Sequence, residues 1–171
     1  AGLKRGFSIM DTSEQETFFK RMLRANKYDP KDVAVSYILQ QINGYKEVGW
    51  RADRVPENLQ EKKLYQLYEE ACINDNVVDF GELMLRCYEM FQKNPEIAEI
   101  YSDRFEHILV DEFQDISSDR NRLLESLKSA NPQLEVTYVG DDWQSIYRFS
   151  GSDVSIMRDA SKPKMNRKRV D

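Results

Sequence analysis

The residues best placed to do chemistry are an adjacent acidic pair, Asp111-Glu112, directly after the short apolar run His107-Ile108-Leu109-Val110. The run has the length of a buried strand, and a strand that ends in carboxylates delivers them to solvent at a fixed position. Asp111 there suits a hydrated Mg2+, which takes one or two carboxylates and keeps several of its waters. Glu112 suits a base that orients or deprotonates a water. The plainer reading is that the chain leaves the core at this point and ends its strand in a soluble residue. A second cluster, Gly140-Asp141-Asp142-Trp143-Gln144-Ser145-Ile146-Tyr147-Arg148-Phe149, follows another strand-length run, Val136-Thr137-Tyr138-Val139. Gln144 offers an amide able to sense a phosphate. Tyr147 and Phe149 flank Arg148, which sets rings for base stacking beside a phosphate-binding cation. The competing reading packs Ile146 and the two rings as a short helix under a sheet.

The elements that must position these groups are legible in outline. Between the two runs lies a helical pattern with Leu123, Leu124 and Leu127, broken by Asn131-Pro132. Strand, helix, strand is a βαβ unit, which demands a parallel pair. Ligands of such sheets bind beyond the carboxyl ends of the strands, where both acidic clusters fall. A strand-end Asp-Glu pair is also the Walker B arrangement of nucleotide hydrolases. Residues 11 to 105 read as successive helices. Asp11, Thr12 and Ser13 precede Glu14 and Glu16 and a stripe of Phe18, Phe19, Met22 and Leu23, the signature of a capped amphipathic helix. Asp29-Pro30 reads as a cap with proline at the first helical position, with Val33, Tyr37, Ile38 and Ile42 on one face until Asn43-Gly44. Tyr45 to Asn58 reads as a long connection. Leu64, Leu67, Tyr68 and Ala71 mark a third helix, Phe80 to Phe91 a fourth, and Ile97, Ile100 and Tyr101 a short fifth after Pro95.

Composition bounds the alternatives. The 171 residues carry 25 Lys plus Arg against 30 Asp plus Glu, a net charge of −5, which excludes a globally basic nucleic-acid coat. Polyanion contacts must be local. The basic residues Lys162, Lys164, Arg167, Lys168 and Arg169 gather in the last eleven positions, a stretch that reads as a solvated end able to strengthen DNA binding only at low salt. Cys72 and Cys87 are too few for a disulfide framework and sit in helical patterns, which fits small core residues and a reducing, cytoplasmic setting. No apolar run approaches the ~18 residues of a membrane span. His107 is the sole histidine, so a histidine-based metal site or triad lacks partners, and the residue reads as a strand start.

Taken together and in this order, the clusters resemble motifs II and III of superfamily 1 DNA helicases of the UvrD/Rep/PcrA type. The DExx box appears as Ile108-Leu109-Val110-Asp111-Glu112-Phe113-Gln114-Asp115, and motif III as Val139-Gly140-Asp141-Asp142 followed by Gln144-Ser145-Ile146-Tyr147. Weaker similarity reaches back through Val78-Asp79-Phe80 to Phe7-Ser8-Ile9-Met10-Asp11. Trp143 and the run Arg148-Phe149-Ser150-Gly151-Ser152-Asp153 look most like helicase IV. UvrD-like members usually carry tryptophan where Phe149 stands and arginine where Ser150 stands, so stacking survives here and any ion pair of that arginine is lost.

The resemblance implies an α/β, mostly helical fold, in which a helical subdomain is inserted in part of a RecA-like (P-loop NTPase) domain with a small parallel sheet. Residues 1–10 would lead in from the RecA-like domain, 11–78 form the inserted subdomain, 79–158 the second half of the first RecA-like domain, and 159–171 a basic tail. It implies ATP and Mg2+ as cofactors, Asp111 as a metal ligand, Glu112 as catalytic base and Gln144 as γ-phosphate sensor. Tyr147, Phe149 and Arg148 would contact single-stranded DNA, with duplex junctions as further partners and no membrane. None of the seven glycines belongs to a G-x-x-x-x-G-K-[ST] phosphate loop. The expectation is therefore a helicase fragment, inactive alone, that needs a P-loop segment and a second RecA-like domain. Two rivals stand beside it. Asp111, Asp115, Asp141 and Asp142 could form a two-metal nuclease site, or the chain could be a helicase relic that docks on a partner through its helices.

Overall fold

A capping box opens the first helix. In the computed structural model, which describes residues 3–140, the Asp11 carboxylate accepts from the Glu14 N–H at 2.8 Å, and the Asp11 N–H donates to Glu14 Oε2 at 2.9 Å. Two donors that the first turn leaves without partners are thereby satisfied. Helix α1 (Thr12–Ala25) follows strand β1 (Ser8–Met10) and turns Phe18, Phe19, Met22 and Leu23 inward. Helices α2 (Val35–Glu47) and α3 (Gln60–Asp75) follow, with a 3₁₀ turn (Ala52–Arg54) between them. Strand β2 (Val77–Asp79) then pairs in parallel with β1, Ser8 against Val77 and Met10 against Asp79. Asn76 at φ 54° ends α3 in the left-handed conformation, and its carbonyl accepts from the Ser8 N–H at 3.1 Å. Helix α4 (Phe80–Lys93) completes this part of the chain.

The chain divides into two units, residues 1–87 and 88–171. The core of the first unit gathers Phe19, Leu23, Ile42, Leu64, Tyr65 and Tyr68, all fully buried. Tyr68 lies edge-on to Phe18 at 5.9 Å and tilted on Phe19 at 5.6 Å. Burying each aliphatic side chain of this set stabilises the fold by roughly 1.5–3 kcal/mol. Within this apolar setting lies a charged network. Lys46 is only 2% exposed, and its Nζ lies 2.6 Å from Asp79 Oδ2 and 3.4 Å from Glu82. Asp79 Oδ2 also accepts from the Tyr68 hydroxyl at 2.7 Å and from Gln15 Nε2 at 3.1 Å, while Asp79 Oδ1 accepts the Glu82 N–H. Arg51 bridges Glu82 at 2.7 Å and Glu69 at 3.0 Å. Burial alone would raise the Asp79 carboxyl, but the Lys46 charge and these hydrogen bonds outweigh it and hold the group below the usual carboxylate range. At Glu69 burial wins over Arg51 and the carboxyl is raised.

The second unit holds α5 (Pro95–Ser102), β3 (His107–Val110), a 3₁₀ turn (Phe113–Asp115), α6 (Ser118–Ala130) and β4 (Glu135–Tyr138). Strands β3 and β4 are parallel neighbours, His107 facing Glu135 and Val110 facing Tyr138, as the βαβ reading requires. The Ser102 hydroxyl donates to the Leu127 carbonyl at 2.9 Å and ties α5 to α6. His107 opens β3 with Nε2 2.8 Å from Thr137 Oγ1 on the adjacent strand.

Three expectations need correction. Asp29-Pro30 does not cap α2: the Asp29 side chain accepts the Lys31 N–H at 2.9 Å and its carbonyl the Asp32 N–H at 3.0 Å, forming a turn, and the helix begins at Val35. Nor does Asn43-Gly44 stop it. Asn43 accepts from Gln15 Nε2 at 3.2 Å, and the helix continues to Glu47, which brings Lys46 into the core. The span read as a connection, 45–58, therefore contains the last turn of α2 and the 3₁₀ turn. Finally, β3 is not buried on both faces: Leu109 is 74% exposed while Ile108 and Val110 are half-buried.

Candidate active site

Asp111 and Glu112 sit where β3 ends, and the backbone there is unusual. Glu112 has φ 49° and ψ 43°, a left-handed conformation that costs a non-glycine residue of order 1–3 kcal/mol. Tertiary bonds hold it. The Phe113 N–H donates to the Val139 carbonyl at 2.9 Å, just past β4, and the Val139 N–H donates to the Val110 carbonyl at 2.8 Å. The Phe113 ring packs on Tyr138 with centroids 4.4 Å apart. The acidic turn is thus fastened to the end of the neighbouring strand. The Glu112 N–H also donates to Asp111 Oδ1 at 2.9 Å, which fixes the Asp111 carboxylate against the backbone of the turn.

Asp111 and Glu112 are both exposed, whereas the next two residues, Phe113 and Gln114, are buried beneath them. Gln114 Nε2 donates to Glu112 Oε2. Gly140 lies against this turn so closely that a Cβ there would fall 2.6 Å from Gln114 Oε1 and 3.0 Å from the Phe113 nitrogen. Only a residue without a side chain leaves that space open. Asp115 Oδ1 is buried without a hydrogen-bond partner.

Among the described residues no group of three or more His, Cys, Asp or Glu side chains could hold a metal. A solvent-facing carboxylate at a strand end nevertheless suits Mg2+, which fills its remaining positions with water and phosphate oxygens. Asp111 could hold such an ion, and Glu112, exposed beside it, could face a water. Gln114 was read only as part of a motif. The spacing Glu-x-Gln across a tight turn was its signal, because side chains two positions apart meet where the backbone reverses. Asp141, Asp142, Trp143, Gln144, Tyr147, Arg148, Phe149 and the basic tail lie outside the described residues.

Comparison with known proteins decides what this arrangement belongs to. The model of the UvrD/REP helicase N-terminal domain matches residues 1–164. The chain belongs to the UvrD/REP helicase family. Its relatives include DNA helicase II of Haemophilus influenzae, 37% identical over 158 residues, and DNA helicase II of Escherichia coli, 36% identical over 159. ATP-dependent DNA helicase PcrA of Bacillus subtilis is 31% identical over 165. Each match covers 90% of this chain, but 22% of either DNA helicase II and 21% of PcrA, so the chain spans about a fifth of the length of these curated relatives. The likeness to the UvrD/Rep/PcrA type, first carried by the DExx box, thus extends over nearly the whole sequence. Among the described residues no helix is long and apolar enough to cross a membrane.

Proposed function

We propose that this chain is part of the motor of an ATP-dependent DNA helicase and supplies the magnesium- and water-facing edge of its ATP site. The observation that carries the reading is the Asp111-Glu112 turn, held in a left-handed conformation and fastened to the end of β4. Asp111 holds Mg2+ and Glu112 takes the proton of the attacking water. Gln144, four residues beyond Gly140 at the end of the neighbouring strand, senses the γ-phosphate. When bound, Mg2+ neutralises phosphate charge. Tyr147 and Phe149 stack on the bases of single-stranded DNA, and Arg148 contacts its phosphates.

In this reading residues 11–78 are a helical subdomain inserted in the first RecA-like domain, and 79–158 are the second half of that domain. The parallel pairing of β1 and β2 around an all-helical excursion supports the insertion. The P-loop and the second RecA-like domain are supplied by sequence beyond this chain, in keeping with the length of its relatives. The isolated chain then hydrolyses no ATP. Losing even one preorganised electrostatic contact costs about 10²–10³-fold in rate, and here the phosphate loop, its lysine and the arginine finger are all elsewhere.

The test is strand separation by the full-length protein on a duplex with a single-stranded tail. Unwinding that requires both ATP and Mg2+ is expected. Metal-dependent DNA cleavage without ATP would instead establish the nuclease reading of Asp111, Asp115, Asp141 and Asp142.

A further inference from the structure

We infer that Gln114 is a positioning residue for Glu112, and that Gly140 is the gap that lets it act; the inference rests on the reading of Glu112 as catalytic base. A glutamate at an exposed strand end has three rotatable side-chain torsions and would sample many directions in water, whereas general-base catalysis needs its carboxylate aimed at one water. The backbone supplies part of the aim through the left-handed turn at Glu112. The rest comes from one donor. Gln114 is 4% exposed, and its Nε2 donates to Glu112 Oε2, leaving Oε1 as the other oxygen of the carboxylate.

The amide of Gln114 lies beside Gly140. Its Oε1 occupies the space where a Cβ of residue 140 would stand, 2.6 Å away, and the Gln114 nitrogen lies 3.2 Å from the same point. The adjacent Phe113 N–H is bonded to the Val139 carbonyl. Gln114 thus joins the catalytic turn after β3 to the backbone that leads into the 141–149 cluster after β4. It touches neither water nor nucleotide in this role. It acts by holding Glu112, and loss of the Gln114 donor or a side chain at Gly140 would each disturb that hold.

The test is steady-state ATP hydrolysis by the full-length protein with single-stranded DNA present. Gln114→Met keeps length and buried volume but cannot donate. A misplaced catalytic group costs up to about 10²-fold, so kcat should fall by roughly 10- to 100-fold while KM for ATP moves by less than about threefold, the pattern of a contact that matters in the transition state alone. Gln114→Leu, of similar volume and likewise without a donor, should show the same split if Gln114→Met folds poorly. A kcat within about twofold of wild type in the folded variant, or a loss expressed only in KM, overturns the inference. Glu112→Gln measured alongside separates the two levels. Turnover lost in Glu112→Gln but intact in Gln114→Met sinks only the role of Gln114, whereas turnover intact in Glu112→Gln sinks the assignment of the base on which it rests.

Discussion

Lys46 shows how much a single residue can carry without announcing itself. It is buried among aromatic rings and bonded to Asp79, 33 positions away, and nothing local in the sequence marks it. A lysine is rarely buried unless paired, and the pairing here is completed by Tyr68, Gln15 and the Glu82 backbone. Removing one member leaves an uncompensated buried charge, so Lys46→Met should lower the unfolding free energy of the chain by about 3–5 kcal/mol in urea titration. Because the folded-state value of Asp79 is lowered, its contribution to stability is present above the ordinary carboxylate range and lost as pH falls through the folded value. Glu69, raised by burial, has the opposite sign: its contribution is present at low pH and lost as pH rises through its raised value. Glu69→Gln should therefore remove a destabilising term near neutral pH and leave the acid limb due to Asp79 in place, provided its bond to Arg51 is kept. The Cys72 thiol is pushed up to about 12 by burial. At neutral pH it should resist iodoacetamide in the native chain and react on unfolding, because the thiolate is the nucleophile. The place of Asp111 and Glu112 at a strand end, by contrast, was legible because its signal is local: two carboxylates directly after an apolar run. That Glu112 is left-handed was not legible, since the strain is imposed by bonds from Val139 and Phe113 that depend on the pairing of distant strands.

Elements followed from periodicity where one face is apolar and the caps are strong, as in α1 with its Asp11 box. They were misread where punctuation competes with burial. Asn43-Gly44 ordinarily ends a helix, but α2 gains more by continuing, because its next turn places Lys46 against Asp79. Gly44 then sits inside a helix with nothing within 4 Å of where a Cβ would be. Gly44→Ala should therefore stabilise the chain by up to about 1 kcal/mol, seen as a higher urea midpoint. A loss of stability instead would mean that the backbone at 44 is not helical. Strands β1 and β2 were missed for a related reason. Each is three residues long, too short to establish alternation, and they find each other only after a helical excursion of more than sixty residues.

At the scale of the whole molecule, the parallel pair of the second unit leaves apolar side chains uncovered. Parallel sheets are ordinarily covered on both faces, yet Leu109 on β3 and Val139 just past β4 are 74% and 54% exposed. With relatives about five times longer than the stretch they share with this chain, these two side chains are where further parts of the proposed motor would pack. Leu109→Lys should accordingly be tolerated by the isolated chain and raise the concentration at which it stays monomeric in sedimentation, while destabilising the full-length protein; equal tolerance in both would place Leu109 at a true surface. The central claim is that Glu112 is the base of an ATP site. Phosphate release by the full-length protein with Mg2+ and single-stranded DNA, wild type against Glu112→Gln, tests it most directly. The substitution keeps the shape and removes the base, so turnover should vanish while nucleotide binding persists; turnover that survives at the wild-type rate would contradict the account.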